Sequence, residues 1–133
     1  MKYFTLTELT ASNTAKQRGI KNIPNDIQKA NLIFLVENFA DPLREAWGKP
    51  LIVTSGFRSR ELNAAVGGSA TSDHLNGLAI DVSAGSVAEN QRLFRFIQER
   101  GFDFDQIKSY KNWGRIHLGY RRSGNRKQVF NQA

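Results

Sequence analysis

The sequence predicts one α+β domain over residues 1–133, with a small, mostly antiparallel sheet and helices packed on one side. Three observations carry that prediction. Apolar residues recur at helical spacing in two long segments, and period-two alternation appears in short segments bounded by turn residues. No repeat, low-complexity stretch or linker divides the chain. A composition of 40% apolar and 23% charged residues in 133 positions is that of a globular chain able to bury its own core. It argues against a collagen-like or disordered polymer.

The elements follow in order. Thr5-Leu6-Thr7-Glu8 reads as a capping box that opens a short helix. A loop is expected up to Pro24, which suits the first turn of a longer helix. Ile27, Ala30, Phe34, Phe39, Leu43 and Trp47 give that helix its apolar positions, Asp41-Pro42 kinks or restarts it, and Gly48 closes it. Leu51 to Thr54 is the first strand, a short helix spans Ser59–Val66, and Leu78 to Ser83 is the second strand. A helix from Val87 to Arg100, capped by Ser86 and closed by Gly101, leads to a hairpin from Asp105 to Tyr120 with Lys111-Asn112-Trp113-Gly114 at its tip. Phe94, Phe96, Phe102 and Phe104 fall where core packing accounts for them.

Charge narrows the classes of function. Nineteen Lys and Arg against twelve Asp and Glu give a formal +7. Arg115, Arg121, Arg122, Arg126 and Lys127 concentrate the excess near the C-terminus, in a basic tail from about residue 121. Such a surplus suits a polyanionic partner or simple solubility. A solvated tail is the default, and an anionic wall polymer is the alternative partner. No recognition helix or aromatic stacking motif supports nucleic-acid binding. No apolar run approaches the roughly 20 residues of a membrane span. Met1 to Thr5 carries no apolar leader, so synthesis in the cytoplasm and a separate exit route are expected. Zero cysteines exclude disulfides and thiolate metal sites. Any metal must be held by carboxylates and the two histidines.

Strand alternation brings those histidines into play. In the second strand Leu78, Ile80 and Val82 point to the core, while Ala79, Asp81 and Ser83 point the other way. In the last strand Ile116, Leu118 and Tyr120 face inward, with Arg115, His117 and Gly119 opposite. His74 precedes Asp81 on a loop, and Gly77 lets the chain turn between them. Two imidazoles and one carboxylate leave a fourth position open, the ligand count of a catalytic zinc site. Ordinary strand histidines and a loop-capping aspartate are the plainer alternative.

The neighbouring residues add a resemblance. Ser55-Gly56-Phe57-Arg58-Ser59, then Asn63, then Ser72-x-His74-x-x-Gly77-x-Ala79-x-Asp81, and a distant strand His117, are similar to the zinc D-alanyl-D-alanine carboxypeptidases, dipeptidases and L-alanyl-D-glutamate endopeptidases, including short phage and prophage members. The likeness covers nearly the whole chain and implies a hedgehog-type peptidase fold, a Zn2+ cofactor and peptidoglycan stem peptides as substrate; a monomer is expected. It implies His74, Asp81 and His117 as zinc ligands, Arg58 as substrate-binding and oxyanion-stabilising, and Ser72 as lining the substrate site. A loop-bracing salt bridge of Arg58 to Asp73, and a cap at Ser72, are the structural alternatives. Asn63 is read as a brace for its loop. Trp113 stacks on substrate or packs over the loop.

The likeness fails at one place. Better-known members carry an acid three positions before the last histidine, where this chain has Gly114, and Ser109-Tyr110-Lys111-Asn112 offers no carboxylate. Amide hydrolysis needs a proton carrier, worth roughly 10²–10⁴ in rate. Asp105 ranks first for it, followed by Asp103, Asp73 and a water held by Tyr110. Without such a group the chain would be a catalytically weak or inactive zinc-containing module that binds cell wall or a protein.

Overall fold

A computed structural model describes residues 1–132. Six α-helices and five strands follow in the order α1 (Leu6–Thr10), α2 (Asn13–Arg18), α3 (Asp26–Leu35), α4 (Asp41–Trp47), β1 (Ile52–Ser55), α5 (Arg60–Ala65), β2 (Ala79–Ser83), α6 (Val87–Glu99), β3 (Gln106–Lys108), β4 (Ile116–Gly119) and β5 (Gln128–Phe130). The sheet order is β1-β2-β4-β3-β5. All pairs are antiparallel except β3 with β5.

Local chemistry sets most boundaries. The Thr5–Glu8 capping box is complete, with both reciprocal hydrogen bonds present. The segment expected as a loop contains α2, whose amide at Ala15 is capped by Ser12 and which ends at Gly19. Its six residues are too few for apolar periodicity to reveal. Pro24 lies two residues before α3 rather than in its first turn, because Asn25 forms the N-cap and makes a capping box with Gln28. Ile27 is therefore exposed, at 74%, instead of buried. Between α3 and α4 the chain runs through a π-helical turn, Val36–Ala40, in which the Asp41 N–H donates to the Val36 carbonyl. Widening by one residue lets Pro42, which lacks an N–H, enter at the start of α4. The restart expected at Asp41-Pro42 thus takes this form.

One core joins the helices to one face of the sheet. Leu32, Leu35, Phe39 and Leu43 from the α3–α4 segment meet Leu93 and Ile97 of α6 and Ile80, Val82, Ile107, Ile116 and Leu118 of the strands, all fully buried. Phe39 stacks on Phe104 with ring centroids 6.1 Å apart. The basic segment expected as a solvated tail folds back instead. β5 pairs with β3, and Arg121 and Arg126 both bind the buried Asp105 carboxylate. The opposite face of β2 and β4 carries the polar cluster.

Candidate metal centre

The centre is laid out along one row of the sheet. Ser55, Asp81, His117 and Lys108 are successive cross-strand partners on β1, β2, β4 and β3. A β-bulge at Thr54 creates the first pairing. Val53 opposes Val82, and the extra residue then shifts the register so that Ser55 opposes Asp81.

His74 reaches this row from a 3₁₀ turn, Asp73–Asn76, entered through Ser72, whose Oγ accepts from the His74 N–H at 3.3 Å. Two side chains of α3 hold the turn in place. Gln28 donates to the Leu75 carbonyl and Asn31 to the Asn76 carbonyl, at 3.1 and 2.9 Å. Gly77 then reverses the chain at φ +72°, pressed so close to the Gln28 carbonyl that a Cβ would collide with it.

Hydrogen bonding orients the rings. His74 Nδ1 lies 2.8 Å from the Gly56 carbonyl oxygen. A carbonyl only accepts, so Nδ1 carries the proton and Nε2 presents its lone pair. That Nε2 is 3.4 Å from Asp81 Oδ1, and His117 Nδ1 is 3.1 Å from the same oxygen. The imidazoles meet edge to face at 5.2 Å. Burial pushes the Asp81 carboxyl up, but the hydrogen bond from His117 and the neighbouring His74 imidazole outweigh it and hold the group well below the usual carboxylate range. Burial pushes the His117 imidazole down, toward the neutral form a metal requires.

His74 Nε2, His117 Nε2 and Asp81 Oδ2 are buried without a hydrogen-bond partner. Each such atom costs about 1–3 kcal/mol if nothing satisfies it. His74, Asp81 and His117 can each offer one ligand atom such that all lie within 4.8 Å of one another, which fits a cation. Two imidazoles and a carboxylate are the donor set of a zinc site with a position left open.

Cationic and phenolic groups surround the ligands. Arg58 donates from Nε to Ser55 Oγ at 3.2 Å and from a terminal nitrogen to Asn63 Oδ1 at 3.1 Å, and its other terminal nitrogen lies 4.0 Å from Asp81 Oδ2. Asn63, buried, donates to the Ser69 carbonyl and so braces the loop. Arg58 is thus held by Ser55 and Asn63, and its ion pair is with Asp81 rather than Asp73. Arg115 Nε sits 3.4 Å from Asp81 Oδ2, and its guanidinium lies 3.7 Å over the Tyr110 ring. Burial and the charge of Asp81 push the Tyr110 phenol up to about 12, so it keeps its proton and faces Asp81 Oδ1 at 3.5 Å. Arg115 was not singled out from the sequence as part of this cluster. Its signal was there, two residues from His117 on the same face of the strand.

Two cavities flank Arg58. The first, about 530 Å³, is lined by Ser12, Ser55, Phe57 and Arg115 and reaches Asp81. The second, about 490 Å³, is lined by Ser72, Asp73, His74, Lys108, Tyr110 and His117. Ser72 is therefore both a cap and a wall of the second cavity.

Other residues singled out in the sequence lie elsewhere. Asp105 is 1% exposed, and both of its oxygens accept from Arg121 or Arg126. The hydrogen bonds from Arg126 outweigh burial and hold its carboxyl below the usual range, so it is a poor proton carrier and serves as an internal counter-ion. Asp103 is exposed beside Tyr120, whose ring packs on Phe39 at the core side of the sheet. Trp113 packs edge to face on Phe94 at 5.5 Å, while its carbonyl accepts from Asn90. That packing, rather than a place in either cavity, accounts for its indole. Asp73 is the one of the three candidate acids that lines a cavity beside the cluster.

Comparison with known proteins agrees with this geometry. The family model described as Peptidase M15 matches residues 2–119. Over 84 residues the chain is 36% identical to a zinc D-Ala-D-Ala carboxypeptidase of Streptomyces albus G. That match covers 62% of this chain and 32% of the relative, so the chain spans about a third of the longer protein.

Proposed function

We propose that this chain, which belongs to the Peptidase M15 family, is a zinc-dependent peptidase that hydrolyses peptidoglycan stem peptides at a D-alanyl or L-alanyl-D-glutamate linkage. The observation that carries the proposal is the buried cluster of His74, Asp81 and His117, whose ligand atoms lie within 4.8 Å of one another between two cavities. On this reading the α+β architecture is of the hedgehog or D-alanyl-D-alanine peptidase type.

His74, Asp81 and His117 would hold the ion. Zinc supplies Lewis acidity and lowers the pKa of a water to about 7. The protein's own groups do the rest. The Gly56 carbonyl fixes the His74 tautomer, and Asp81 orients His117. Arg58, held by Ser55 and Asn63 and lining both cavities, would stabilise the negative charge that develops on the scissile carbonyl. Arg115 and Tyr110 close the other side of Asp81 and keep positive potential over it. Proton transfer to the leaving amine falls to Asp73, or to a water held by Tyr110, because Gly114 offers no carboxylate and Asp105 is fully engaged.

Mass spectrometry of purified peptidoglycan fragments tests this, with zinc-loaded and chelator-treated protein side by side. A metal-dependent new amino terminus is expected and names the bond. Absence of cleavage across walls of several stem-peptide chemistries, with zinc bound, overturns the proposal. It would favour the module that binds wall without cutting it, for which Gly114 is the specific observation.

A further inference from the structure

The second cavity has a cationic wall that metal binding does not use. Lys108, the cross-strand partner of His117, stands one strand beyond it on the same face, a spacing of about 4.8 Å. Its ammonium lies 5.6 Å from the Phe130 ring and forms no ion pair among the described residues. Arg121 and Arg126 line the same cavity. Asp105 binds Arg121 through Nε and Arg126 through Nε and one terminal nitrogen. One terminal nitrogen of Arg126 and both of Arg121 make no hydrogen bond among the described residues.

Asp105 thus works from behind as a clamp, fixing two guanidinium planes while their outer edges stay available. Three cations here face two carboxylates, Asp105 and Asp73, so positive charge remains on this wall before Arg58 is counted. A planar guanidinium edge with a neighbouring ammonium matches a carboxylate. The Lys108 backbone lies about one strand spacing from that of His117, its ammonium lies toward Phe130 on β5, and one extended residue spans about 3.5 Å. A carboxylate seated on this wall would belong to a residue within a few positions of the bond being cut.

We propose that Lys108, Arg121 and Arg126 form a carboxylate-recognition subsite that selects stem peptides bearing a free carboxylate close to the scissile bond. The inference rests on the peptidase reading. It makes amidation of the peptide a determinant of specificity.

The test uses synthetic stem pentapeptides with the glutamyl carboxyl and the C-terminal carboxyl each free or amidated. Affinity is measured by titration calorimetry on metal-free protein, and kcat/KM on zinc-loaded protein. One of the two carboxylates is expected to improve binding about tenfold or more over its carboxamide. Lys108→Gln should collapse that ratio toward one, and Lys108→Arg should largely restore it. Arg126→Gln, with a thermal melt to establish folding, is a second probe. Equal affinity for free and amidated peptides overturns the inference, as does a preference that survives both substitutions. Tighter binding of poly(glycerol phosphate) than of any peptide also overturns it, by assigning the wall to a phosphate polymer. Cleavage of all four peptides with equal kcat/KM defeats the subsite and leaves the peptidase intact. Carboxylate-selective binding with no cleavage defeats the peptidase and leaves the recognition.

Discussion

Asp81 sits under two imidazoles, two guanidinium groups and a phenol while being 1% exposed. Such concentration of positive partners on one buried carboxylate keeps it ionised, which is what a metal ligand requires. His74→Ala and His117→Ala are each expected to lose stoichiometric zinc by elemental mass spectrometry. Full retention of the metal in both would remove the ligand assignment. Arg58 contributes differently, because it touches Asp81 at its edge and not the ligand nitrogens. Arg58→Ala should keep the zinc yet lower kcat by about 10²–10³, the usual effect of losing one donor at a developing oxyanion. Unchanged turnover in that variant would place Arg58 among the structural braces. Arg115 and Tyr110 show how far the residue scale reaches from sequence alone. Alternation placed Arg115 on the right face, but its stacking on Tyr110 is a contact between side chains whose rotamers no pattern specifies.

Two strands and one turn deliver the three residues of the cluster: Asp81 on β2, His117 on β4 and His74 on the 3₁₀ turn. The Ser72-to-Gly77 segment is legible in the sequence because its chemistry is local. Ser72 caps, the four residues Asp73–Asn76 make one 3₁₀ turn, and Gly77 reverses the chain. The reason Gly77 admits no substitute is tertiary, since α3 packs its Gln28 carbonyl against the place a Cβ would occupy. Gly77→Ala is expected to destabilise the fold by about 2–4 kcal/mol, combining the positive-φ penalty with that collision. Urea unfolding would measure it, and a loss below about 0.5 kcal/mol, the range of a neutral surface change, would show the turn to be slack. The bulge at Thr54 belongs to the same scale. It cannot be seen in four residues of sequence, because a bulge is defined by the partner strand it is out of step with. Likewise the six residues of α2 are too few to show a period, and Asn25, not Pro24, caps the start of α3.

At the scale of the molecule, the C-terminal segment is tied to the sheet by a buried carboxylate. β5 pairs with β3, and Asp105 binds Arg121 and Arg126. The Asp105 carboxyl is held below its ordinary pKa of about 3.9, so the folded state binds that proton less readily than the unfolded chain. Its stabilisation is therefore fully present above about pH 4 and is lost as pH falls through the lowered folded value. Asp105→Asn should cost about 2 kcal/mol near neutral pH, and the difference from wild type should shrink in more acidic solution. Chemical unfolding at pH 7, 5, 4 and 3 would follow it. A difference that stays constant down to pH 3 would mean that the carboxylate charge is not what holds the segment.

The sequence by itself determined the class of fold, the strands that flank the site and the three residues that meet at its centre. Those depend on alternation, caps and turns, which act over a few residues and leave their mark in the order of side chains. Tertiary structure decided the rest. It turned a basic tail into a strand and Asp105 from a candidate proton carrier into the counter-ion of two arginines. It also committed Trp113 to Phe94 and set Lys108 beside His117. Each of these is a pairing between positions distant in the chain. The energy of an ion pair or a packed ring depends on which partner arrives, and only the folded chain settles that.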